Sequence, residues 1–213
     1  MSQLPVQMRD RWLNRTEASP GTGTIYWHIL LGGNPDVRSI AQSAQERLAQ
    51  FEGLHMTPLD WLHMTVLVTG STTEITHDQM ETMVALASDS LADVAPVTVK
   101  LGPVLYHPEA IMLGVHPQES LRPVLRAAQA ATRTVTDRAG RSTSGPGEWV
   151  PHMTLCYSTA NQPARPLIES LGLALPEREV TISALTLVVQ WDEERQWKWQ
   201  PVASIPLGGA APE

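Results

Sequence analysis

The chain has 213 residues, 42% hydrophobic and 17% charged, with a net charge of −7. This globular balance suits one fairly large domain or two small lobes sharing a core. Lys100 and Lys198 are the only lysines, so the extended basic face of proteins that grip long nucleic acids is not expected. A short or singly phosphorylated substrate fits the charge better. No apolar run approaches the ~20 residues that span a bilayer. Met1 to Arg15 mixes Arg9, Arg11 and Arg15 with Asp10 and Trp12 and does not read as a signal peptide, so a cytoplasmic location is expected. The single cysteine, Cys156, excludes an internal disulfide and a cysteine-rich zinc site, and reads as a buried strand thiol.

In chain order, Thr24 to Leu31 is β-branched, aromatic and apolar between glycines, and predicts a strand. Pro35 opens a helix to about Phe51, with Val37, Ile40, Ala41, Ala44 and Leu48 at helical spacing. Leu62 to Val68 predicts a second strand. His77 to Leu91 predicts a helix with Met80, Met83, Val84 and Ala87 on one face. Val97 to Tyr106 and Ala110 to Val115 read as strands around a turn at Pro108. Glu119 to Ala139 is the longest predicted helix, and Arg141 to Gly147 a Gly/Ser/Pro connection. Pro151 to Tyr157 is a strand, Arg165 to Gly172 a short helix, and Val180 to Gln190 with Trp197 to Pro206 a closing strand pair around Asp192-Glu193-Glu194.

The order β-α-β-α-β followed by β-α-β-α-β-β duplicates a topology. It predicts an α+β fold of two lobes, each a duplicated β-α-β unit, with two antiparallel-rich sheets facing a central groove and helices outside. Residues 1–23 would form an N-terminal arm, 24–207 a single bilobal domain and 208–213 a disordered tail. No obligate protein partner is evident, and a monomer is expected.

The two halves share one short motif. His-Met-Thr occurs three times, at His55, His63 and His152, although the chain has only seven histidines and eight methionines. The second and third copies lie in predicted strands, where side chains alternate between faces. His63 and Thr65 then share one face, as do His152 and Thr154, with Met64, Val66, Met153 and Leu155 in the core. The first copy runs into Pro58, which disfavours a continuing ladder, so His55 reads as a loop residue. One His-x-Thr strand is most often structural; two in corresponding strands point to a working pair. In-line displacement at phosphorus needs a base on the attacking oxygen and an acid on the leaving one, and histidine serves as either near neutral pH. Two threonine hydroxyls can donate to the non-bridging oxygens. Neither motif has a carboxylate or thiolate on the histidine's face, so no metal and no cofactor are expected.

Leu62-His63-Met64-Thr65-Val66, with Gly70 following, and Pro151-His152-Met153-Thr154-Leu155 resemble the paired motifs of the 2H phosphoesterases, in particular the 2′-5′ RNA ligase-like, RNA 2′,3′-cyclic phosphodiesterase branch. The resemblance extends through the element order over residues 24–207. It implies a bilobal fold with a central groove, metal-independent hydrolysis of 2′,3′-cyclic phosphates to 2′-phosphates, and in some members reversible 2′-5′ joining of RNA ends. The family's catalytic residues map onto His63, Thr65, His152 and Thr154. Many relatives carry a basic residue where this chain has Tyr157, and an aromatic where it has Val68; with the acidic charge, the first departure weakens the case for polymeric RNA. A non-RNA cyclic phosphate, or a slow nucleotide-binding module, are the alternatives. Among seven tryptophans, Trp149 and Trp27, with Tyr157, are the candidates for stacking on a base. Trp197 and Trp199 read as packing residues. His28, His77, His107 and His116 are assigned no role.

Overall fold

The computed structural model describes residues 4–13, 15, 19–141, 149–191 and 194–209. The connection at 142–148, the turn residues 192–193 and the tail beyond 209 lie outside the described residues. In chain order the elements are β1 (Gln7–Met8), β2 (Gly23–Leu30), α1 (Pro35–Leu48), β3 (Leu54–Met56), β4 (His63–Ser71), α2 (His77–Leu91), β5 (Val97–His107), β6 (Ala110–His116), α3 (Arg122–Thr136), β7 (His152–Ser158), β8 (Gln162–Pro163), α4 (Arg165–Leu171), β9 (Ala174–Ile182), β10 (Ala184–Trp191) and β11 (Trp199–Pro206).

All described pairings are antiparallel. The strands order as β11-β10-β2-β4 and β7-β6-β5-β9, with β3 also on β7, and the two sets meet through one pair, Met64 with Met153. Ser183 alone separates β9, at the far edge of the second set, from β10 in the first. A one-residue link between opposite ends brings the two sheets round to face each other.

The helices exchange sides. α2 and α3, which pack together, lie behind β11 and β4; α1, with α4 packed on it, lies behind β7 and β9. The spatial lobes are therefore not the two halves of the sequence. Gln45 of α1 ties this crossing down by donating to the carbonyls of Thr57 and Leu155 at 2.7 and 2.9 Å. The main core, including Ile25, Trp27, Ile29, Met64, Val66, Met153, Leu155 and Cys156, lies on the helix-covered face. Burial pushes the Cys156 thiol up to about 12, so it stays protonated and inert.

α2 starts and ends where the sequence predicts, because Thr76 and Gln79 form a capping box at its start. The predicted helix from Glu119 is shorter. Gln118–Leu121 is a 3₁₀ turn, Pro123 sits in the first turn of α3, and Asp137 ends it at φ 57°. Val180 to Gln190 is not one strand but the end of β9 and most of β10, broken at Ser183 where the chain changes sheets. His55 is not a loop residue: β3 pairs it with Tyr157.

The N-terminal arm packs into the body. Met8 is fully buried in the main core, Trp12 is 6% exposed, and β1 pairs with β8.

Candidate active site in the groove

The Met64–Met153 pair organises the site. Both methionines point to the helix-covered core, so their neighbours His63, Thr65, His152 and Thr154 point the other way. In an antiparallel pair centred on 64 and 153, His63 lies across from Thr154 and Thr65 across from His152. The four side chains therefore lie on the face opposite the helices, on either side of the Met64–Met153 pair.

Each histidine is held by the same local device. His63 Nδ1 lies 2.8 Å from the carbonyl of Trp61, and His152 Nδ1 lies 2.7 Å from that of Val150. A carbonyl only accepts, so Nδ1 carries the proton in both rings, and Nε2 is the basic nitrogen of the neutral tautomer. The Trp61 carbonyl is placed by a 3₁₀ turn, Leu59–Trp61. Gly32 packs against that turn so closely that a Cβ would sit 2.3 Å from the Asp60 carbonyl oxygen, so only glycine fits. Burial lowers the proton affinity of His152, outweighing its Val150 hydrogen bond, and the charges of His107 and Arg11 lower it further.

The two motifs differ in their neighbours. Met112 pairs with Thr154, whereas His28 pairs with Thr65. His28 is 1% exposed and stacks on His63 at 4.4 Å between ring centres. Its Nε2 lies 3.3 Å from Thr65 Oγ1, while its buried Nδ1 has no hydrogen-bond partner among the described residues. A buried N–H is rarely left unpaired, so we assign the proton to Nε2. The imidazole then donates to Thr65 and turns that hydroxyl's hydrogen towards another acceptor. Burial first, and then the charge of His63, hold His28 well below the usual histidine range, so it is neutral. Sequence reasoning passed over His28. Its alternation with Trp27, a core residue, and its register opposite Thr65 were the signals that could have found it.

A buried aromatic cluster lies beside the quartet: Trp12, Tyr157, Trp197 and Trp199, with Tyr26 and Trp61 against them. Trp199 meets His63 edge-on at 4.7 Å and Trp61 at 4.6 Å. Trp197, at φ 55°, stacks on Tyr157 at 5.6 Å. Trp197 and Trp199 are thus packing residues, as expected, but they pack against the catalytic candidate His63.

The three stacking candidates fare differently. Trp27 is fully buried on the helix-covered face, with Nε1 donating to Thr132 of α3 at 3.1 Å. It is a core residue and leaves the substrate-binding set. Trp149 is 8% exposed in the main core, and its Nε1 donates to the Thr65 carbonyl at 3.2 Å, so it braces the first motif. Tyr157 reaches the groove because Leu155 is an extra residue opposite β6, which shifts the alternation after Thr154. Its ring lies between Arg11, 4.2 Å above it, and Trp197.

Among the described residues, His77, Asp78 and Glu81 could hold a cation, with ligand atoms within 4.8 Å of one another, but they are exposed at the start of α2, outside the quartet. No described helix is long and apolar enough to cross a membrane.

Residues 19–194 match the family described as the 2′-5′ RNA ligase superfamily. No curated protein sequence matches the chain. Its fold is similar to that of TT0787 of Thermus thermophilus, with a TM-score of 0.65 at 18% identity over 88% of this chain and 100% of that one. E. coli LigT complexed with NADP+ gives 0.59 at 15% identity over 88% and 99%, and LigT complexed with 3′-AMP gives 0.61 at 15% over 87% and 98%.

Proposed function

The chain belongs to the 2′-5′ RNA ligase superfamily, and from that premise we propose that it is a metal-independent phosphodiesterase opening 2′,3′-cyclic phosphates of nucleotides or short RNA. The observation that carries the reading is the matched pair of imidazoles, each with Nδ1 on the carbonyl two residues before it. Such a pair offers two Nε2 atoms for a water proton and a leaving oxygen.

In this reading His152 is the base, since its lowered proton affinity keeps it neutral at neutral pH. It takes a proton from the water that attacks phosphorus. The bond from phosphorus to the 3′ oxygen breaks, that oxygen takes the Nε2 proton of His63, which enters the step as the imidazolium, and the product is a 2′-phosphate. Thr65 and Thr154 donate to the non-bridging oxygens, and His28 aims the Thr65 hydroxyl. The complexes of LigT with NADP+ and 3′-AMP support a nucleotide-sized ligand. With an alcohol in place of water as the nucleophile, the same step would open the cyclic phosphate into a 2′-5′ phosphodiester, the 3′ oxygen again leaving with a proton.

The experiment is turnover in EDTA of a 2′,3′-cyclic mononucleotide and a cyclic-phosphate-ended oligonucleotide, by wild type, His63→Ala and His152→Ala. The expected result is chelator-resistant turnover lost in both variants. Loss with chelator, or survival in both variants, sinks the mechanism. The aromatic filling of the groove favours, as a second reading, a small non-RNA cyclic phosphate. Turnover of such a compound with neither RNA substrate opened would establish that instead.

A further inference from the structure

The two motifs share a sequence and an Nδ1 bond but differ in what surrounds the imidazole. Among the described residues His152 makes no ring contact. His63 makes three: His28 stacks on it at 4.4 Å, Trp199 meets it at 4.7 Å and Trp197 at 6.0 Å. Trp199 also lies 5.2 Å from His28. The centres of His63, His28 and Trp199 thus form a nearly equilateral triangle, so the indole stands beside the imidazole stack rather than on top of it. It is inclined at 75° to His63 and 78° to His28. Rings meeting edge to edge could not come so close, so Trp199 turns its face to the edges of both imidazoles. The indole is 7% exposed, and Trp61 packs edge-on against it at 4.6 Å.

An aromatic ring is negative on its face and positive at its edge, and a cation set against an indole face is held there electrostatically. An imidazolium carries its charge on the N–H and C–H edge, the part turned to Trp199. His28, kept neutral by burial and by the charge of His63, offers a second uncharged π face. We propose that Trp199 is a positioning residue that makes His63, rather than His152, the proton donor of the pair, its indole face stabilising the imidazolium. Two identical motifs in identical surroundings would populate the two acid–base arrangements equally. A ring on one side selects the arrangement in which the leaving oxygen faces His63. Facing His63 besides Trp199 are Trp197 just before β11, His28 from β2 and the Trp61 carbonyl on Nδ1. The Thr65 hydroxyl shares its face, and His152 stands across the Met64–Met153 pair. All of these remain when Trp199 is replaced. The inference rests on the phosphodiesterase reading above for the role of His63.

The test follows kcat/KM for a 2′,3′-cyclic nucleotide against pH, and the protonation of His63 by NMR titration of the imidazole signals without substrate. The alkaline limb falls as His63 loses its proton and the acidic limb as His152 gains one. Trp199→Leu keeps apolar bulk but removes the π face. It should move the alkaline limb and the His63 titration down by roughly 0.4 to 1.5 pH units, the range of a cation–π contact, and leave the acidic limb in place. Trp199→Phe should move them down by less. Trp61→Leu, which keeps the carbonyl on Nδ1, should also shift them less, and Trp27→Phe in the core should shift neither limb. A His63 titration that stays or rises in Trp199→Leu overturns the proposal. So does an equal shift of both limbs, the mark of a loosened site. A shift in Trp61→Leu as large as that in Trp199→Leu overturns it too, by placing the effect in the turn that bears the carbonyl. Should Trp199→Leu not fold, the direction of the Trp199→Phe shift decides: down supports the proposal, and none or up overturns it. If His63→Ala keeps full turnover, the phosphodiesterase reading fails, while the NMR titration still judges Trp199.

Discussion

Replacing His28 with Phe keeps a ring of similar size against His63 but removes the donor to Thr65 and the titratable group. Two magnitudes follow. A neutral hydrogen bond is worth about 0.5–1.5 kcal/mol net, so kcat/KM should fall roughly 2- to 13-fold if that bond orients Thr65 for the transition state. The second effect is on stability. His28 binds its proton more weakly folded than unfolded, so the unfolded chain takes up more protons and stability falls as the pH drops below the unfolded value of about 6.5. Integrated from pH 6.5 to 5.5, a histidine that stays neutral in the fold costs about 1 kcal/mol. Urea denaturation of wild type and His28→Phe at pH 7.5, 6.5 and 5.5 reads this directly. Wild type should lose about 1 kcal/mol more than the variant over the lower step. Parallel losses would show that His28 is not held neutral. Unchanged kcat/KM would show that Thr65 does not depend on it.

Three other outcomes are expected. Thr65→Val and Thr154→Val should each lower kcat by roughly 10²-fold, the usual range for one transition-state donor, with smaller changes in KM; a change confined to KM would assign the hydroxyls to ground-state binding. Trp27→Phe should lower the unfolding free energy by about 1–3 kcal/mol, through lost volume and the lost bond to Thr132, and leave KM unchanged. Because the proton affinity of His152 is lowered, the acidic limb of the kcat/KM profile should fall below pH 6.5, with activity lost as His152 protonates. A limb above 6.5 would remove His152 from the role of base.

The face on which the four motif residues lie was legible because strand alternation is local: Met64 and Met153 are apolar, and their neighbours must turn away from the core. α2 was legible from the spacing of Met80, Met83, Val84 and Ala87, and the structure adds the cap of Thr76 and Gln79 that fixes its start. Other features depended on distant contacts. Nothing in Val180 to Gln190 marks Ser183 as a change of sheet, since the residues on both sides are equally suited to strands. Trp27 looks like a stacking residue until α3, about a hundred positions later, supplies Thr132 to its indole. Tyr157 turned to the groove only because of the bulge at Leu155, and bulges leave little trace in a single sequence. His28 lies beside the first motif by its register opposite Thr65, which periodicity does not report.

His63 and His152 stand on two halves of one nine-stranded sheet, joined by a single ladder pair, Met64 with Met153. The span between the two imidazoles is therefore a property of the dihedral between the plates, not of either strand. The rings of Trp12, Tyr157, Trp197 and Trp199 are set between those plates like a shim. Their summed thickness gauges the gap that the proton donor and acceptor must bridge, so thinning any one of them would retune the chemistry without touching a reacting atom.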